Sequence, residues 1–134
     1  MQPEEPPQAG SPSYWLRFAE GDLVLARNKP SEDLLAELLC FHAQQAVEKA
    51  IKAVLLYFGE KVPRTHSIEA LVEIAAKHVE IPEMVKESTE LTLYASGTRY
   101  PGSYEPLDDV DYREALEKAE KVVAWAKNIC LENE

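Results

Sequence analysis

Arg99, Tyr100 and Tyr104 fall together in the stretch SGTRYPGSYEP, residues Ser96 to Pro106. The planar fork of Arg grips a phosphate with two hydrogen bonds, and a Tyr ring offers a face on which a base stacks. Gly97 and Gly102 carry no side chain that would hold a ligand away from the backbone. The same residues also fit a structural role, with the rings closing the end of a helical bundle and Arg99 pairing with a helix carboxylate. A second polar group lies on one predicted helix. At ~100° per residue, His42, Gln45, Lys49 and Lys52 share a strip roughly 80° wide. His42, Gln45 and Lys49 suit either a ligand groove or the polar contacts of a subunit interface.

Other chemistries find no residues to carry them. His42, His66 and His78 do not recur at helical spacing with a carboxylate, and Cys40 and Cys130 form no CxxC, so no metal and no cofactor is expected. There is no Gly-rich phosphate loop, Walker motif or GxSxG, and hence no self-contained active site with a catalytic residue to name.

These residues need elements to position them. The run FHAQQAVEKAIKAVLLYF, Phe41 to Phe58, holds no Gly or Pro and is rich in helix formers. Leu39, Ala43, Ala46, Val47, Ala50, Ile51, Val54, Tyr57 and Phe58 share its inward arc. Leu38, Phe41, Leu55 and Leu56 fall in or beside the polar strip, so both sides of this helix are expected to be covered, one by a partner or ligand. It is expected to run from about Glu32, with Ser31 as cap, to Phe58, with Gly59 ending it.

A first helix is predicted from Ser13 to Asn28, with Trp15, Ala19, Leu23 and Ala26 inward and Asp22 at the edge of that stripe. A third, capped by Thr65 or Ser67, should run to about His78, and a fourth from Pro82 to Tyr94 or Ala95. The last should end near Leu131, with Asp108, Asp109 and Asp111 as candidate caps and capping-box spacing between Asp111 and Glu114. Residues 1–12 hold four prolines and are expected to form a disordered tail, leaving 13–134 as one domain. The fold class is all-α, an antiparallel up-and-down bundle of about five helices.

With 46% hydrophobic and 28% charged residues the composition is that of a soluble globular chain. No membrane span or signal peptide is read, and two distant cysteines inside helices point to buried thiols and a reducing cytoplasm. A net charge of −10 disfavours long nucleic acid as a partner.

Three of these stretches carry a resemblance. FHAQQAVEKAIKAVLLYFG (Phe41–Gly59), THSIEALV (Thr65–Val72) and TRYPG (Thr98–Gly102) resemble the HEPN domain, named for higher eukaryotes and prokaryotes nucleotide-binding. With Trp15, Asp22 and the closing AEKVVAWAK, the resemblance covers about residues 13–131. It implies a small helical bundle, usually a homodimer, in microbial cytoplasm. Such domains often stand beside a minimal nucleotidyltransferase in a toxin–antitoxin or nucleotide-handling pair. Some are metal-independent ribonucleases that use an Arg followed shortly by a His, paired across the dimer. Arg99 matches the Arg, but none of residues 103–106 is His, and Tyr104 stands in its place.

The resemblance therefore implies a non-enzymatic module that binds a nucleotide, a nucleotidyltransferase partner, or both. Arg99 would hold phosphate, Tyr100 or Tyr104 would stack, and His42, Gln45 and Lys49 would line the groove. The alternative is an endoribonuclease in which Arg99 stabilises transition-state charge and Tyr104 or His42 transfers the proton. A Tyr with its ordinary pKa of about 10 is a poor base at neutral pH.

Overall fold

The computed structural model describes residues 10–94 and 107–132. Helix α1 spans Pro12–Ala26, and its cap is Ser11, whose Oγ accepts from the Tyr14 amide at 3.1 Å. Pro12 occupies the first helical position, where its missing N–H costs nothing. The cap is thus two residues earlier than expected, with Ser11 and Pro12 forming the start of α1.

Helix α2 covers Ala36–Tyr57. It starts later than the predicted Glu32. The Ser31 hydroxyl does accept from the Leu34 amide at 3.1 Å, yet Leu35 is extended, so the turn closed by Ser31 does not propagate. The other end follows expectation. Gly59 has φ +81°, the Glu60 amide bonds back to the Leu55 carbonyl, and the Gly59 amide bonds to that of Leu56. Those two bonds form a Schellman cap, and the left-handed backbone they need is open to Gly at little cost.

Helix α3 is Ile68–Ala75, capped by the Ser67 hydroxyl, and the connection before it returns the chain along α2 until His66 stands beside Glu48. Helix α4 is Glu83–Glu87 and passes into a 3₁₀ helix, Ser88–Tyr94, where one long α-helix was expected. Hydroxyls explain the tightening. Ser88 donates to the Val85 carbonyl and Thr89 to that of Lys86, each three residues back, which draws the turns into the narrower form. Helix α5 spans Asp109–Glu132. Its capping box pairs Asp108 with Asp111: the Asp111 amide donates to Asp108 Oδ1 at 2.8 Å, and the Asp108 amide donates to Asp111 Oδ2 at 3.1 Å. The bond from the Asp111 amide is the main reason the Asp108 carboxyl titrates below its ordinary value.

Helices α1, α3 and α5 and the 3₁₀ helix pack against α2, and no strand occurs among the described residues. Val47, Ile51 and Val54 are fully buried, and each such aliphatic chain contributes about 1.5–3 kcal/mol relative to exposure. Ala43, Ala46, Ala50 and Ala53 are buried too, small enough for neighbouring helices to approach closely. Cys40 and Cys130 are buried free thiols. Tyr112 ties α5 to α1, its hydroxyl donating to the Ala26 carbonyl at 2.7 Å, and burial pushes its pKa up. Leu55 departs from expectation. It is 0% exposed, enclosed by the elements that pack on α2, so only Leu38, Phe41 and Leu56 of the outer group remain accessible.

Candidate functional site

The polar strip of α2 is built into two ionic clusters. In the first, Asp22 reaches over from α1. Its Oδ1 lies 3.0 Å from His42 Nδ1, and its Oδ2 accepts from Lys49 Nζ at 2.6 Å. Asp22 is only 7% exposed, so this carboxylate is a structural bridge between α1 and α2 and more than an edge residue. In the second cluster, Glu48 accepts from Lys52 Nζ at 2.6 Å and from Gln44 Nε2 at 2.8 Å, with His66 Nδ1 at 3.1 Å. Gln45 donates to the Gln44 side-chain carbonyl at 2.8 Å and so extends this cluster to the surface.

The clusters share a plan: one buried carboxylate, one lysine and one imidazole. A carboxylate only accepts, so both imidazoles carry the proton on Nδ1 and keep Nε2 for other partners. Burial pushes the Glu48 carboxyl up, but donation from Lys52, His66 and Gln44 outweighs it, and the group titrates below the ordinary carboxylate value. Each ammonium also faces a ring, Lys49 at 5.9 Å from the Phe18 centroid and Lys52 at 5.6 Å from that of Trp15. Among the described residues, no buried side-chain polar atom lacks a hydrogen-bond partner.

Of the residues singled out in the sequence, His42, Gln45 and Lys49 come together on the partly exposed strip. Arg99, Tyr100 and Tyr104 lie outside the described residues. The strip is less cationic than its residue types imply, because Asp22 neutralises Lys49 and Glu48 neutralises Lys52. His66, Glu48 and Gln44 are not among the site residues that the sequence picks out. The spacing of Glu48 and Lys52 was a legible signal of a pair.

Beside the first cluster, α1 and α2 enclose a cleft of about 480 Å³ lined by Tyr14, Arg17, Phe18, Gly21, Leu25, Asp22 and Lys49. Its lining includes apolar side chains open to solvent, Phe18 at 47% and Leu25 at 50% exposed; on α2, Leu38 is 42% exposed. No group of His, Cys, Asp and Glu among the described residues is arranged to hold a metal ion, and no helix among them is long and apolar enough to cross a membrane.

The family model described as HEPN domain matches residues 12–129. The crystal structure of an archaeal HEPN homologue is similar at 30% identity and a TM-score of 0.69, covering 88% of this chain and 96% of that one. A crystal structure of a Thermus thermophilus protein is similar at 29% identity and a TM-score of 0.72, covering 90% of this chain and 98% of that one. No curated protein matches the sequence.

Proposed function

Because the chain belongs to the HEPN domain family, we propose that it works as a non-enzymatic module, a homodimer that binds a nucleotide, a nucleotidyltransferase partner, or both. The observation that carries this reading is the apolar rim of the α1–α2 cleft. Phe18 and Leu25 line the cleft with large exposed side chains, and Leu38 on the adjoining helix α2 is exposed as well, in a protein whose net charge is −10. Clustered exposed apolar groups of this size mark protein contacts more often than they mark solvent-facing surface. In this reading Arg99 grips phosphate, Tyr100 or Tyr104 stacks on a base, and His42, Gln45 and Lys49 stand along the groove. Pairing with a nucleotidyltransferase, in the manner of a toxin–antitoxin couple, supplies the chemistry that this chain lacks.

Light scattering at micromolar concentration tests the assembly. The parent is expected to run at the mass of a dimer, and Phe18→Asp with Leu38→Asp should shift it toward the monomer, because closing the contact would bury unpaired charge. A monomeric parent overturns the homodimer. Nucleotide binding is tested separately with Arg99→Ala, expected to weaken it by roughly tenfold to a hundredfold, the worth of one or two charge-assisted bonds.

One observation favours the runner-up, a metal-independent endoribonuclease. The stretch from Ser96 to Pro106 has no His, but His42 and His66 each have Nδ1 held by a buried carboxylate and Nε2 left over, the form an imidazole takes in proton transfer. Cleavage of RNA by the parent that disappears in both Arg99→Ala and His42→Ala would establish that reading over the first.

A further inference from the structure

The corner between the end of α1 and the start of α5 gathers cations in an acidic protein. A cavity of about 420 Å³ there is lined by Arg27, Lys29, Pro30, Tyr112 and Arg113, with Asn28 and Asp109 completing it. Lys29 and Arg113 have no ion-pair partner among the described residues. Arg113 uses Nε on the Asp109 carbonyl at 3.3 Å, which leaves both of its terminal nitrogens as donors. Arg27 binds Glu120 through Nε alone, at 3.0 Å, and its terminal nitrogens also remain.

Three cations, Arg27, Lys29 and Arg113, meet four carboxylates here, Asp108, Asp109, Asp111 and Glu120, so the corner sums to −1. What sets it apart in a chain of net charge −10 is the gathering of three cations whose donors are mostly unused. The carboxylates of Asp108 and Asp111 stand beside it, each accepting from the other's backbone amide through one oxygen and each keeping its charge. Pro30 and the largely buried Tyr112 line the cavity beside the donors and add an apolar wall.

We propose that this corner is a binding site for a small phosphate ester or polyphosphate, held by Arg113, Lys29 and the free side of Arg27. Forked guanidinium donors from two helices meet phosphate oxygens in pairs, and the lysine adds a point charge. The apolar wall favours an ester with a ring or carbon chain over the bare ion. Long polyanions are excluded by the field of the remaining carboxylates, which reaches about 8 Å at physiological salt. The site uses none of the residues assigned above to the dimer face, the α2 strip or the Arg99 loop, and it stands or falls apart from them.

Titration calorimetry on the full chain with inorganic pyrophosphate, AMP and ATP tests it, together with amide chemical-shift mapping. Binding is expected for at least one probe, with shifts centred on residues 27–30 and 109–113. Arg113→Ala should weaken it by roughly tenfold or more, Lys29→Ala by less, and Lys77→Ala, beyond the other end of α2, should leave it unchanged. Both side chains are on the surface, and Arg113→Lys keeps the charge without the fork, so an intermediate loss is expected there. Tighter binding of ATP than of pyrophosphate supports the ester; equal binding restricts the site to phosphate alone. The proposal is overturned if no probe binds at millimolar concentration, or if Arg113→Ala and Lys29→Ala bind like the parent. Shifts centred on residues 42–49 also overturn it, while leaving nucleotide binding on the α2 strip intact.

Discussion

Replacing Lys52 by Met is expected to destabilise the fold by about 3–5 kcal/mol at neutral pH, the range seen when one partner of a buried ion pair is removed. The Lys52 and Glu48 side chains are only 9% and 4% exposed, so solvent does little to soften the loss. Gln44 and His66 still donate to Glu48, but neither brings the full charge of an ammonium. The pH dependence separates this mechanism from a simple packing defect. In the parent, Glu48 titrates below its ordinary 4.5, so its contribution is whole above that pH and is lost as pH falls through the lower folded value. In the variant, burial without the ammonium raises the carboxyl instead, and the folded state gains as pH falls through the raised value. The gap between parent and variant should therefore narrow on acidification. Denaturant titrations from pH 7 downward measure it, and a gap that stays constant would show that the ion pair is not what was lost. Glu48→Gln combined with Lys52→Met should recover much of the stability, since no uncompensated charge then remains.

Leu55→Ala should cost about 2–5 kcal/mol and leave the mass of the assembly unchanged. The side chain is fully enclosed, and truncation loses both its transfer energy and the contacts around the cavity left behind. Leu38→Ala is the contrast: 42% exposed, it should change thermal stability little. Chemical denaturation of the two variants, with light scattering alongside, reads both effects. If Leu55→Ala dissociated the assembly while keeping its unfolding midpoint, Leu55 would be an interface residue and the packing described here would be wrong.

The contrast between those leucines shows what the sequence carried and what it did not. Helix ends were legible wherever the signal is local: Gly59 in its left-handed backbone, Ser67 at its cap, the apolar stripe of α5. So was the inward arc of α2, because a helix fixes which of its own residues share a face. Which other elements cover the remaining faces depends on where the chain returns, and nothing within Phe41–Phe58 indicates that Leu55 is fully enclosed. The site divides in the same way. Gathering His42, Gln45 and Lys49 on one strip is a matter of spacing alone. That Asp22 meets His42 and Lys49 depends on packing between helices, across 20 and 27 residues of sequence. The early start of α1 and the tightened turns after α4 were missed for a smaller reason: several neighbouring hydroxyls and carboxylates were chemically able to cap, and only the packed backbone selects among them.

The two surface pairs that join α1 to α5 have a topological consequence. Glu20 meets Lys127 and Arg27 meets Glu120, so seven residues forward on one helix match seven backward on the other. Followed outward, that register sets Trp15 level with Glu132 at the end of α5, with Ser11 about one turn beyond. The described chain is therefore almost a closed ring, and a short linker from Glu132 to Ser11 would turn it into a permutable one, with new ends available in the connection that contains Gly59 and Pro63. Anything fused before α1 or after α5 leaves from the same pole of the bundle. The opposite pole, where Arg27, Lys29 and Arg113 lie, stays unobstructed by such a fusion, which makes either end a suitable place for a fluorophore or an affinity handle.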